Sequence, residues 1–269
     1  MTAEPRGRRG ARANEIIART RFVDHFLAPV RSIRGICEVC AEPQSGDDWR
    51  WCATCTTHSR QAAALRTQAA DRVVFAAYSV AGRQSDWDMH RYKAASPGPT
   101  NPSWMRVAGL AAHFGLMHRA CLDAGRLGPI DAFAVVPSLS GRPSPHPIEA
   151  LVSYLLPGVP AVPLSASPVE RGDRDQRRSF RPDYFAVSHG GVVRGCHVVL
   201  FDDTWVTGSH FQSAAAALRQ AGALHVTGLV LARRLRPDWG ANEVFITEQL
   251  TRPYDVTVCP VGEHLAQEG

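Results

Sequence analysis

Apolar residues gather along this chain in runs of strand length, separated by turn residues and by stretches with helical spacing. The runs cover residues 73–80, 132–139, 159–164, 196–201 and 226–232. Near-continuous runs of this kind mark strands buried on both faces, as in a parallel sheet. Between them the spacing predicts helices over 104–124, 148–156 and 212–221, the last stopping at Gly222. Strand and helix in alternation predict an α/β fold, with a parallel sheet flanked by helices.

Ahead of residue 71 the texture differs. Residues 21–30 put their apolar positions on one face of a short helix, residues 37–55 hold paired cysteines, and the Ala-rich stretch 59–70 reads as helix. The chain divides on this reading into a basic leader with a short helix (1–34), a small cysteine module (35–70) and the α/β domain (71–269). Residues 94–103, with three prolines, predict a loop. Residues 165–182 carry five Arg and almost nothing apolar, so they cannot be core. They read as a solvated loop or as a flap that closes over anionic substrates.

At 269 residues with 45% hydrophobic content, the chain can bury a sizeable core. It contains no run of eighteen apolar residues, and its N-terminus lacks the apolar stretch of a secretory signal, so the reading predicts a cytoplasmic protein without membrane insertion. The net charge is +5, and residues 1–34 alone contribute 8 − 3 = +5 from eight Arg and three Asp or Glu. That local excess suits a solvated leader or contact with nucleic acid.

Four of the seven cysteines form two CxxC turns, Cys37 with Cys40 and Cys52 with Cys55, eleven residues apart. Each turn offers two thiolates from one side, and together they predict a structural zinc ion. His58 is surplus to such a site, because four thiolates already close it. Cys121, Cys196 and Cys259 stand singly in apolar surroundings and read as small buried hydrophobes.

The most specific chemistry lies at residues 198–211, VVLFDDTWVTGSHF. An apolar strand should end at the carboxyl edge of the sheet, where open α/β folds bind ligands. There Asp202 and Asp203 can accept hydrogen bonds from the vicinal hydroxyls of a ribose. The amides of residues 204–209, with the hydroxyls of Thr207 and Ser209, can wrap a phosphate at the start of a helix. Gly208 supplies the unusual dihedrals that such a turn needs. No GxxxxGK[ST], GxGxxG, HExxH or GxSxG is present in a fitting context, which argues against P-loop, dinucleotide, metallo-hydrolase and serine-hydrolase chemistry.

This segment resembles the phosphoribosyl pyrophosphate motif of type I phosphoribosyltransferases. The arrangement of four-cysteine module, Arg-rich stretch, motif, helix, Ala221-Gly222-Ala223 and strand is similar to the ComF family of competence-associated proteins. The similarity spans roughly residues 35–235. It implies a type I phosphoribosyltransferase-like sheet and a phosphoribosyl pyrophosphate donor, with Asp202 and Asp203 at the ribose. Val206, Thr207, Gly208, Ser209 and His210 would surround the 5-phosphate, with Thr204 and Trp205 also among the substrate-binding residues. Ser138 and Arg142 would face the pyrophosphate, joined by Arg171 and Arg174. Magnesium is implied on the donor, held mostly through water and substrate oxygens. Lys93 is a further candidate cation, with a lone exposed lysine as the plainer reading. The expected reaction is phosphoribosyl transfer to a nitrogenous acceptor. Single-stranded DNA handling in DNA uptake and donor sensing without turnover are the alternatives. The chain departs from the family at Thr204, Val206 and His210, and it has PSPHPIE at residues 143–149 where an RGFNQ-like run is expected.

Overall fold

A computed structural model describes residues 23–30, 34–46, 50–93, 98, 100–123, 127–139, 147–168, 179–188 and 193–261. Its centre is a four-stranded, fully parallel sheet formed by β1 (Arg72–Val80), β2 (Ala132–Val135), β5 (His197–Trp205) and β6 (His225–Leu235), in the spatial order β1-β6-β5-β2. Both faces are covered, so successive residues of one strand enter different cores. Val198 and Leu200 pack with Val73, Phe75, Val226 and Val230 on one side, while Val199 and Phe201 pack with Val74, Leu229 and Leu231 on the other.

Helices α2 (Gln84–Arg91), α3 (Pro102–Met117), α4 (Arg119–Asp123) and α5 (Pro147–Leu155) follow β1 and β2, and α2, α3 and α5 bury Met89, Trp104, Val107, Leu110, Phe114 and Leu151 against the second face. Helix α6 (Ser209–Gln220) covers the first face with Phe211, Ala214, Ala215 and Leu218. Its close seat depends on Gly228 of β6, where a Cβ would stand 2.7 Å from the Phe211 ring. Helix α6 stops at Gly222, which has φ +104°, as the sequence predicts.

The expected parallel sheet and flanking helices are present, with four corrections. The helix expected over 59–70 is α1 (Ala53–Ala64), which starts at the second CxxC turn and ends before Arg66 at φ +53°. From there Thr67 Oγ1 donates to the Ala216 carbonyl at 3.2 Å, and Ala70 N donates to Gln212 Oε1 at 2.9 Å. Within the described part of 21–30 there is no such helix. Leu27 instead bridges Tyr78 of β1 and Pro253, because the exposed edge of β1 offers unpaired backbone groups.

The expected strand 159–164 makes only a bridge from Ala161 to Phe133. Pro160 and Pro163 lack the N–H groups that a ladder needs. The chain pairs a little later, β3 (Leu164–Ala166) lying antiparallel to β4 (Phe185–Val187). The helix expected over 104–124 breaks at His118, whose N–H still bonds to Phe114 at 2.8 Å before α4 begins. Helices α2 and α7 (Asn242–Glu248) were not expected. Residues 169–178 of the Arg-rich stretch lie outside the described residues. Its end is anchored, since Phe180 is buried with Ala62 and Ala216. No helix among the described residues is long and apolar enough to cross a membrane.

Candidate phosphate cleft and cysteine centre

Parallel pairing places the C-terminal ends of all four strands at one edge. Strand β5 does not end at Phe201 but runs on to Trp205, pairing Thr204 with Ala232 and Trp205 with Arg233. β-branched Thr204 and the buried indole of Trp205, which meets Phe75 and Phe211 with ring centroids at 5.6 and 5.2 Å, favour continuing the ladder. The turn is therefore only Val206, Thr207 and Gly208, and α6 starts directly after it. Gly208 has φ +80° and its α-carbon faces the Trp205 indole, so a Cβ would collide with that ring. Trp205 thus serves the site as a floor, with its side chain in the core.

Turn and helix enclose a concave space of about 220 Å³, lined by Asp202 and residues 204–211. The first-turn N–H groups of α6 point toward it, as at any helix start. Thr207 Oγ1 lies 3.4 Å from Ser209 Oγ. The Ser209 hydroxyl is also 3.1 Å from Nε2 of buried His58, on α1 of the cysteine module. Burial lowers the His58 pKa, which keeps the ring neutral beside the turn. The sequence treated His58 as surplus to zinc, and its partner is the loop instead.

The two acids stay in contact near the end of the strand. Asp202 lines the cleft, and Asp203 is buried beside it, bonded to the Tyr92 hydroxyl and ion-paired with Lys93. The Asp203 amide donates to Asp202 Oδ1 at 2.8 Å. Burial, and then the neighbouring Asp203 charge, push the Asp202 carboxyl well above the usual range, with Lys93 opposing. Lys93 is accordingly a partner of the acid pair and not the lone exposed lysine of the plainer reading. Its place at the end of α2 was not legible, because that helix was not expected.

Ser138 follows β2 beside β5, where Val136 N still bonds to Phe201 O at 2.9 Å, so it emerges at the same sheet edge. Arg142, Arg171 and Arg174 lie outside the described residues. Thr204 and His210 line the cleft, and Val206 is exposed at its rim.

The four cysteines Cys37, Cys40, Cys52 and Cys55 form one cluster, with their sulfurs all within 4.8 Å of one another. Cys40 and Cys52 sulfurs stand 3.7 Å apart, close to the roughly 3.8 Å edge of a tetrahedron with 2.3 Å zinc–sulfur arms. Crowding sets the four against one another. Hydrogen bonds from the other three drive Cys37 below the usual thiol range, while its neighbours push Cys40 and Cys55 above it. A divalent cation removes that conflict by taking all four as thiolates. The cluster can therefore hold a zinc ion.

One buried side chain ties this centre to the cleft. Arg233 of β6 donates to the Cys40 carbonyl at 2.7 Å and pairs with Glu42, and it also donates to the carbonyls of Trp205 at 3.2 Å and Val206 at 3.0 Å. Arg233 is not legible in the sequence as part of the site, because an arginine near the end of an apolar strand carries no local sign of its partners. No protein-family model and no curated protein matches the chain.

Proposed function

We propose that the cleft binds the ribose 5-phosphate part of phosphoribosyl pyrophosphate. On this reading the chain is a type I phosphoribosyltransferase-like protein of the ComF kind that passes the phosphoribosyl group to a nitrogenous acceptor. The observation that carries it is the join of Asp202, the left-handed turn at Gly208 and the start of α6 around one cleft at the carboxyl edge of a parallel sheet. A phosphate fits the N–H groups at the helix start, with Thr207 beside them. A ribose hydroxyl then falls to Asp202, the acid on the cleft wall.

In the reaction the bond from the anomeric carbon to pyrophosphate breaks, a bond to the acceptor nitrogen forms, and that nitrogen loses a proton. The chain supplies positioning and charge, not a nucleophile. Asp202, once ionised, faces the cation developing at the sugar, and the Lys93–Asp203 pair holds a positive group next to that acid. Magnesium would supply charge neutralisation on the leaving pyrophosphate. Asp202 is the described carboxyl that can reach it from the cleft wall, and donor oxygens and water would complete its shell. The DNA-handling alternative draws on the leader, and residues 1–22 lie outside the described residues.

A thermal-shift measurement tests the proposal. Donor plus magnesium at about 100-fold over Kd is expected to stabilise the protein by about 2.7 kcal/mol, a rise of several degrees. Asp202→Asn is expected to lose most of that rise and Asp203→Asn part of it. No shift of the unaltered protein at millimolar donor would sink the proposal.

A further inference from the structure

A second group of metal-ligating side chains lies away from the cleft. His118, Cys121 and Cys259 bring one ligand atom each to within 4.8 Å of one another. Arg72, the first residue of β1, donates to the Leu122 carbonyl of α4 at 2.9 Å, which puts this group at the amino edge of the sheet, opposite the cleft. Nothing in the proposed transferase chemistry uses it.

The local structure brings the three together. His118 ends α3, and Cys121 N bonds back to the His118 carbonyl at 3.1 Å as α4 begins, a reversal that gives an HxxC turn. Residues three apart in such a turn share one side. Cys259 arrives on the last described stretch, which is held to the body by Tyr254 N donating to the Phe26 carbonyl at 2.8 Å and by Tyr254 stacking on His113. His118 Nε2 lies 2.7 Å from the Val256 carbonyl of that stretch. A carbonyl only accepts, so Nε2 carries the hydrogen and Nδ1 is the ring nitrogen with a lone pair to offer. Metal-binding histidines are commonly oriented by such a bond to a backbone carbonyl.

We infer that His118, Cys121 and Cys259 form a second zinc site, a three-ligand Cys₂His centre with its fourth position open to water, which clamps the stretch 254–261 onto the corner between α3 and α4. Two sulfurs and one imidazole are a soft to borderline set that suits zinc over magnesium or calcium. Two thiolates balance the charge of a divalent cation in a half-buried, largely apolar setting.

The test is metal content of the reduced full chain after removal of loosely held ions. The unaltered protein is expected to carry one zinc equivalent beyond that of the four-cysteine centre. Cys121→Ser and Cys259→Ser should each lose that equivalent alone, and Cys37→Ser should lose the other. A single equivalent that survives Cys121→Ser and Cys259→Ser overturns the inference. So does a Cys121–Cys259 disulfide in protein kept free of oxidant, seen as a mass two hydrogens short and as five titratable thiols of the seven (7 − 2 = 5). Should the serine variants fail to fold, cobalt(II) titration of the unaltered chain decides. A second binding event with its own sulfur-to-cobalt absorption supports the site, and saturation after the first event overturns it.

Discussion

At the scale of single residues, Asp202 and Gly208 carry the clearest consequences. Because Asp202 has a raised pKa in the fold, its protonated form is the one the fold favours. Between the ordinary carboxyl pKa and the raised one, the folded chain holds more protons than the unfolded chain, so stability falls as pH rises through that window. Asp202→Asn removes the penalty while its amide oxygen can still accept from the Asp203 N–H. Thermal melts are expected to coincide near pH 4 and to favour the variant increasingly toward pH 8, by about 1–2 kcal/mol. Gly208→Ala meets both the left-handed backbone and the Trp205 ring. A loss of at least about 2 kcal/mol in urea unfolding is expected, together with loss of donor binding. The glycine was readable from sequence as a turn residue. That the indole three residues earlier also demands it was not, since ring packing is a tertiary fact.

At the scale of elements, the cleft is held from behind. Strand β6 delivers Arg233 under the turn after β5, where one guanidinium joins that turn to Cys40 and Glu42 of the cysteine module. Arg233→Met would leave Glu42 without its Arg233 partner and would remove the donor from the carbonyls of Cys40, Trp205, Val206 and Arg234. Removing one side of a buried ion pair costs about 3–5 kcal/mol, to be read from chemical unfolding, and donor affinity is expected to fall with it. Helix α2 contributes in the same way from the other face. Asp88 on α2 takes His25 at 2.8 Å, Ser103 at 2.6 Å and Arg106 at 3.0 Å. These contacts outweigh its burial and hold its carboxyl down to about 2. They fix the helix whose end presents Tyr92 and Lys93 to Asp203. Elements marked by long apolar runs, β1, β5 and β6, were legible because continuous burial leaves a continuous signal. Helix α2 was not, because QSDWDMHR shows no apolar stripe and its buried groups are largely polar.

At the scale of the whole molecule, the cysteine centre and the sheet share one core. Cys37, Cys40 and Cys55 belong to the same apolar cluster as Tyr78, Trp205 and Phe211, and His58 and Arg233 add polar ties to the turn. Zinc removal is therefore expected to act beyond the module. Chelation should lower the melting temperature in a single transition and weaken donor binding in parallel, since metal-binding free energy is folding free energy in such sites. A separate early transition that leaves donor binding unchanged would show that the two parts are independent.

What the sequence determined alone was whatever repeats locally. Apolar runs announced a parallel sheet, the CxxC spacing announced four clustered thiols, and an acid pair followed by a hydroxyl-Gly-hydroxyl turn marked a strand end facing a helix start. Each is a pattern of neighbours in the chain, and local geometry is all it requires. Tertiary structure alone decided that Lys93 and Tyr92 hold Asp203, that Arg233 joins the turn to the cysteine centre, and that Cys259 meets His118 and Cys121. These contacts span dozens to well over a hundred residues. Their partners are chosen by how the layers pack, which no run of adjacent residues encodes.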